Sequence, residues 1–199
     1  MSAGHATTAE SLAFTIWALG NDPPLQKRLR EEVQDAPGIV EELGVTAIDS
    51  LHLLNNIVRE SLRVYNPTLV SPWETGQELL LAGVHVPKGT TVTTSPTALH
   101  MNPRIWGPDA AEFRPDRWDA LTGEAASIYV FESFLNGPRT CPGRALALLE
   151  IKVVLMELIT RFEFRSLKTE LEFQNPSLVL RAKGGVEVEV RRLMQTEAL

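Results

Sequence analysis

The stretch FLNGPRTCPGR, Phe134 to Arg144, decides how the rest of the chain is read. It holds the only cysteine, Cys141, inside a run of glycine and proline, and a long apolar segment follows at once. Gly137, Pro138, Pro142 and Gly143 predict a tight loop, because glycine lets backbone approach a bulky ligand and proline fixes the turn. From Arg144 the chain reads RALALLEIKVVLMELITRF, which has the length and propensity of a helix. Pro142 is expected in its first turn, where a missing N–H costs nothing. Cys141 then stands at the positive end of a helix dipole, two residues from Arg139, and both features favour a thiolate.

A lone cysteine is more often a small buried hydrophobe than a ligand. A thiol nucleophile would need a histidine base at motif spacing, and the sequence offers none. The full spacing FxxGxRxCxG carries more than the cysteine alone. Phe134, Gly137, Arg139, Cys141 and Gly143 occupy every specified position, and in this the stretch resembles the haem-binding signature of the cytochrome P450 superfamily. The resemblance implies that Cys141 is the proximal thiolate ligand to haem iron, with Phe134 beside the sulfur. It implies that Gly137 and Gly143 let the loop approach the porphyrin. Arg139 would pair with a haem propionate, since its planar fork suits a carboxylate. Amides at the helix start could hydrogen-bond the sulfur and tune the metal.

Upstream, the helix predicted over Leu51 to Tyr65 carries ESLR, Glu60 to Arg63. An exposed i,i+3 ion pair would contribute only a few tenths of a kcal/mol. The wheel argues against exposure. Leu51, Leu54, Val58 and Leu62 form one apolar stripe, while Leu53, Ile57 and Val64 lie on another side, nearer Glu60. A helix apolar on two sides is buried, and buried charges need partners. ESLR matches the ExxR motif of the same family, and FRPDRW, Phe113 to Trp118, resembles its Pro-Glu-Arg-Phe motif, with Asp116 for Glu and Trp118 for Phe. The implied triad is Glu60, Arg63 and Arg117, structural rather than catalytic.

The first residues, Ala3 to Thr8, allow two readings. Thr7-x-x-Glu10 reads as a capping box opening a helix from Thr8 to Gly20. The segment also resembles the family's distal-helix motif, Ala/Gly-Gly-x-Asp/Glu-Thr-Thr/Ser. Thr7 would then be the catalytic alcohol that steadies dioxygen, with Ala3 and Gly4 leaving room for oxygen and water. The acid of that motif is replaced by Ala6, which carries no proton, so delivery would pass through water or His5.

Between these motifs, Asp22 caps a charged amphipathic helix begun by Pro23 and Pro24 and ended at Ala36-Pro37-Gly38. Pro37 to Ser50 is expected to be a surface connection with a short helical piece. Strand and turn signals alternate over Glu78–Leu81, Ala82-Gly83, Val84–Val86 and Thr90–Thr94. By resemblance, Thr68 to Thr75 would run past the haem and line part of the substrate pocket, with no basic propionate partner near Trp73 and Glu74. His100 reads equally as a structural histidine or as part of the haem periphery. Asn102 to Ser133, rich in Pro, Gly and Trp, corresponds to the family's meander. After the long helix, Phe162 to Leu167 reads as a strand. Leu178–Ala182 and Val186–Arg191 read as a hairpin turning at Lys183-Gly184-Gly185, with the period-two run VEVEVR solvated on one face.

Composition fits this reading. With 199 residues, 44% hydrophobic and 22% charged, the chain has an ordinary globular composition. A net charge of −6 argues against a nucleic-acid partner. His5, His52, His85 and His100 are scattered, and no CxxC or HExxH occurs, so zinc is not indicated. No apolar run is long enough for a membrane span or signal peptide.

The expected fold class is mainly α with small β-sheets (α+β), the C-terminal half of the cytochrome P450 fold. Residues 1–199 would form a single partial domain, running from the end of the distal helix to the C-terminal strands. The wording around the motifs looks most like eukaryotic, fungal members. That implies an endoplasmic reticulum enzyme fed electrons from NADPH by a separate reductase, and the chain has no GxGxxG of its own. A full-length relative would be roughly twice as long, against a domain prior of ~100–200 residues. The remainder would hold the anchor, much of the substrate pocket and further propionate partners. Two readings follow. One is a haem-thiolate monooxygenase that inserts an oxygen atom from O2 into an apolar small molecule. The other is a truncated, non-catalytic chain that binds haem b weakly or not at all, because half a core leaves apolar faces unburied.

Overall fold

Four helices meet around one apolar core in the computed structural model, which describes residues 2–36, 44–174 and 179–194. They are α1 (Ser2–Asn21), α2 (Pro23–Asp35), α4 (His52–Val64) and α7 (Arg144–Arg161). A short α3 (Val45–Ser50) precedes α4 and supplies the helical piece expected there; residues 37–43 of that connection lie outside the described residues. Leu19, Leu29, Leu54, Ile57, Leu155, Met156 and Ile159 are fully buried where the four helices converge. Each such side chain stabilises by roughly 1.5–3 kcal/mol through removal of apolar surface from water. As the two apolar sides of its sequence predict, α4 is enclosed along nearly its whole length, including Glu60 and Arg63.

Helix ends are satisfied by side chains. Asp22 caps α2 by accepting the Leu25 N–H at 2.9 Å, with prolines in the first turn. The N-terminus of α4 has no cap of its own. Glu32 of α2 supplies one, its two oxygens accepting the N–H groups of Leu53 (2.7 Å) and Leu54 (2.8 Å). Gln26 is buried and stitches α2 to its neighbours, bonding Leu19 O and both backbone groups of Phe164.

The sheets are small and antiparallel. β1 (Ser71–Glu74) pairs with β4 (Thr91–Thr94), matching Ser71 with Thr94 and Glu74 with Thr91. β2 (Leu79–Leu81) and β3 (Val84–Val86) form a hairpin. Its turn residues Ala82 (φ 48°) and Gly83 (φ 83°) are both left-handed, the conformation of a tight two-residue turn. Short helices α5 (Pro96–His100) and α6 (Pro103–Trp106) and a series of 3-10 turns carry the chain from β4 to α7. β5 (Phe162–Ser166) lies against α1, and the contact is close. A Cβ at Gly20 would come within 2.6 Å of Ser166 Oγ and 2.8 Å of its backbone N.

Mainly helical with small antiparallel sheets, the α+β class expected from the sequence, the fold differs from it at three places. Helix α1 extends back to Ser2, so Thr7 is inside a helix and not its cap; the capping-box reading fails. Helix α7 begins at Arg144, so Pro142 precedes the first turn. The C-terminal hairpin is not formed. β6 (Val188–Arg192) pairs with β5, whereas Ala182 bridges Phe173 and Val179 bridges Thr68. Leu178 lies outside the described residues. The expected alternation holds over Val186 to Glu189, where the two valines are half-buried and the two glutamates exposed, and it is lost from Val190 on, where every residue through Arg192 is exposed.

Candidate functional site

Beneath the cysteine loop lies a buried ionic network. Glu60 and Arg63 sit one turn apart on α4 and form a two-point pair, Nε to Oε2 at 2.9 Å and Nη2 to Oε1 at 2.8 Å. The other Arg63 N–H groups donate to the carbonyls of His100 (2.7 Å), Ala110 (2.6 Å) and Glu112 (3.0 Å), which uses the whole guanidinium. Glu60 accepts three more bonds: Arg117 Nε (3.0 Å), the Arg114 backbone N–H (2.8 Å) and Trp118 Nε1 (3.0 Å). Arg117 also donates to Asp109 and to the carbonyls of Asp109 and Trp106. Burial pulls the Arg117 pKa down, but its bonds to Glu60 and Asp109 outweigh this and raise it. The bond from Arg117 in turn holds the Asp109 carboxyl below the usual carboxylate range. A buried charge cluster is tolerated only when satisfied to this degree. Asp116, the acid of the FRPDRW motif, faces outward and pairs with Arg28 of α2.

The cysteine loop is closed by one backbone bond, Cys141 N–H to Phe134 O at 2.9 Å. Within it Leu135 (φ 59°) and Gly137 (φ 72°) take left-handed conformations. Glycine does so freely, whereas leucine is strained there, and such strain gathers at functional sites. Gly137 to Arg139 form a 3-10 turn, and Thr140 N–H returns to Gly137 O. Cys141 is exposed and lines an apolar cavity of about 390 Å3. Phe134 and Gly143 line it too, and Phe134 also packs against the four-helix core.

Across that cavity stands the start of α1. Ala3, Gly4, Thr7, Thr8 and Ser11 all face it, so the cavity joins Cys141 and Thr7. Thr7 Oγ1 donates to Ala3 O at 2.7 Å, which commits its proton to the helix and leaves its lone pairs free. Ser11 and Thr15 repeat the bond one and two turns on, and Thr15 also meets Ser61 Oγ of α4 at 2.7 Å. His5 is exposed and is not among the residues facing the cavity. Pro67 and Thr68 contribute to the wall.

Of the predicted haem-loop residues, Gly137 and Arg139 are not among those lining this cavity, and Gly137 shapes the turn. Arg139 lies close by, lining an adjoining groove with Trp73 and Glu74, and Leu135 borders both spaces. Its guanidinium has no hydrogen-bond or ion-pair partner among the described residues. His100 is fully buried and faces none of these spaces, which makes it structural. Ser11 and Asp109 were not singled out from the sequence, and Trp118 was read only as a motif position, without its bond to Glu60. The hydroxyls at 7, 11 and 15, one helical turn apart, were the available signal for Ser11. The indole N–H that a phenylalanine lacks was the signal for Trp118.

A single soft donor facing an apolar cavity fits a metal whose other ligands come from a flat macrocycle. Among the described residues no group of three or more His, Cys, Asp or Glu could hold a bare ion. No described helix is long and apolar enough to cross a membrane.

Comparison with known proteins agrees with this geometry. Residues 1–190 match the family model of cytochrome P450. The chain is 38% identical to the cytochrome P450 monooxygenase sphH of Aspergillus fumigatus, over 94% of this chain and 35% of that protein. It is 36% identical to cytochrome P450 4F1 of Rattus norvegicus (97% and 37%) and 34% identical to a cytokinin hydroxylase of Arabidopsis thaliana (96% and 37%). The chain therefore spans 35–37% of the length of these relatives.

Proposed function

The chain belongs to the cytochrome P450 family of monooxygenases, and we propose that it is the haem-thiolate portion of an enzyme that inserts one oxygen atom from O2 into a small apolar molecule. Residues 1–199 then form one partial domain, from the end of the distal helix to the C-terminal strands. The observation that carries this reading is the single cavity lined by both the Cys141 thiol and Thr7.

Haem, when bound, supplies the redox-active iron on which oxygen chemistry depends. Cys141 would supply the thiolate that holds it, its backbone fixed by the bond from its own N–H to Phe134 O. Phe134 and the small residues Gly143, Ala3 and Gly4 shape a largely apolar space. Gly137 reverses the loop with its left-handed backbone. The unpaired Arg139 fork suits a propionate carboxylate in the adjoining groove. Thr7 holds its proton on the Ala3 carbonyl and offers Oγ1 lone pairs to the cavity as an acceptor. Ala6 carries no proton, and His5 points elsewhere, so protons reach Thr7 from water in the cavity. We propose NADPH as the electron source, through a separate reductase, and the endoplasmic reticulum membrane as the location of the whole enzyme. The apolar cavity wall supports an apolar substrate.

A second reading is favoured by the 35–37% coverage of the relatives: this polypeptide alone retains haem weakly and is not catalytic. One measurement separates the two. The chain is loaded with haem, reduced and exposed to carbon monoxide, and its absorption spectrum is recorded beside that of Cys141→Ala. A red-shifted thiolate band that the substitution abolishes supports the first reading. No such band in either supports the second, and a band that survives in Cys141→Ala overturns the ligand assignment.

A further inference from the structure

His100 is a buried ring placed between the ionic network and the cysteine loop. Its Nδ1 lies 3.2 Å from Arg63 O, and its Nε2 lies 2.9 Å from the Glu132 backbone nitrogen. The Glu132 N–H can only donate and the Arg63 carbonyl can only accept. The ring is therefore neutral, with its proton on Nδ1. Arg63 answers the contact by donating Nη1–H to the His100 carbonyl. The ring also stacks on Phe131, centroids 5.4 Å apart, and Ser133 Oγ donates to Leu62 O at 2.9 Å. His100 thus holds residues 131 and 132, and the last turn of α4 holds residue 133 and His100 itself. Glu132 O then accepts Leu135 N–H, and Phe134 O accepts Cys141 N–H. An unbroken run of bonds joins His100 to the amide of the cysteine.

We propose that His100 is a positioning residue for the cysteine loop, and that its protonation releases residues 131–135 and with them the placement of Cys141. Protonation would give Nε2 a hydrogen aimed at the Glu132 N–H, so that two donors oppose each other. It would also set a second cation beside Arg63. Nothing near can compensate. From α4, Glu60 already accepts five N–H groups; from the meander, Arg117 is a further cation and Asp109 is committed to it. From the loop, Glu132 meets the ring through its backbone N–H, as a donor. Burial accordingly pulls the His100 pKa down to about 4. The sign follows: the unfolded chain takes up a proton near the usual histidine value, the folded chain does not, and the placement is complete above about 6.5 and lost as pH falls toward about 4.

The role of Cys141 in this proposal rests on the haem-thiolate reading, so the test has one arm that does not. Amide hydrogen exchange is followed at Glu132, Leu135 and Cys141 in the whole chain, in His100→Phe, which keeps the stacked ring, and in His100→Gln, which offers Nε2's acceptor role at all pH values. At neutral pH His100→Phe is expected to lose about tenfold in protection at these three amides relative to the core amides of α2, and His100→Gln to recover part of it. In the parent chain the same amides lose protection selectively below about pH 6, and in His100→Gln they do not. With haem bound, the thiolate band should fall over the same pH range. Unchanged protection in His100→Phe, or a loss spread evenly over α2 and α7, overturns the positioning role. Absence of a thiolate band in the parent chain supports the weak-haem reading instead, a band that survives in Cys141→Ala sinks the Cys141 assignment, and in either case the exchange arm still judges His100.

Discussion

The ionic network and the cavity share α4, which carries Glu60 and Arg63 in one and Leu62 in the other, yet they are built in opposite ways. Around Glu60, every donor of Arg63 is used, five N–H groups converge on one carboxylate, and Glu60, Arg63, Arg117 and Trp118 are 0% to 8% exposed. At the cavity and its adjoining groove, Cys141 is exposed, Arg139 has no partner among the described residues, and two left-handed residues turn the loop. The first region is complete within this chain. The second is a set of groups held ready for something else. Close-packed, satisfied regions resist change, whereas regions that bind must leave polar groups and strain unspent.

The largest effect that could break this contrast comes from Glu60→Gln. The amide keeps the shape but replaces one accepting oxygen with an NH2 that faces Arg63 or Arg117. Two buried guanidiniums would then lack their shared anion. A loss of about 3–5 kcal/mol is expected in denaturant unfolding, since removing one member of a buried charge group leaves the others uncompensated. A loss below ~1 kcal/mol would mean that the network is not the rigid half of the molecule.

Trp118→Phe sharpens the same point at lower amplitude. The indole N–H donates to Glu60 Oε2, and the ring packs edge-on to Trp106 and Phe131 with the Arg59 guanidinium 4.0 Å above it. Phenylalanine keeps much of the packing and loses the bond to a charged acceptor. The expected cost is about 2 kcal/mol. An unchanged midpoint would show that four donors suffice for Glu60 and that the fifth is incidental.

How much of this was legible beforehand divides along the same line. Glu60 and Arg63 were readable because a helix with apolar residues on two sides cannot leave its charges in water, and Arg117 was readable only through the resemblance of FRPDRW to a family motif. The number of donors was not, because Arg114 contributes only its backbone N–H, and backbone contacts leave no trace in residue type. Cys141, Thr7 and the small residues between them were readable as motifs. Their facing one another across a cavity is a matter of tertiary packing. Thr7 also showed the limit of a local signal. Thr7-x-x-Glu10 has the spacing of a cap, yet Ala3 and Gly4 continue the helix, and the hydroxyl bonds backward to Ala3. At the C-terminus, the period-two run Val186 to Arg191 overlaps the strand found at Val188–Arg192 but said nothing about its partner. β5, laid against α1 beside Gly20, provides the free edge that β6 takes. His100, which reads equally as structure or as haem periphery from sequence, is decided only by the Arg63 carbonyl and the Glu132 amide on either side of its ring.

The smallest effect tests the loop itself. Leu135 adopts φ 59°, a region that costs a non-glycine residue ~1–2 kcal/mol. Glycine at this position would relieve the strain. It would also give up half-buried apolar area and add freedom to the unfolded chain, by ~0.4–1 kcal/mol. These terms oppose one another, so Leu135→Gly is expected to stay within about 1 kcal/mol of the parent in thermal or denaturant unfolding. Truncating an equally large side chain in the core, Leu54→Ala, should cost ~2–5 kcal/mol, because that site is fully buried and its neighbours can close the gap only in part. If Leu135→Gly instead costs as much as Leu54→Ala, the loop is packed as tightly as the core. The distinction between a finished frame and a poised site would then fail where Cys141 is held.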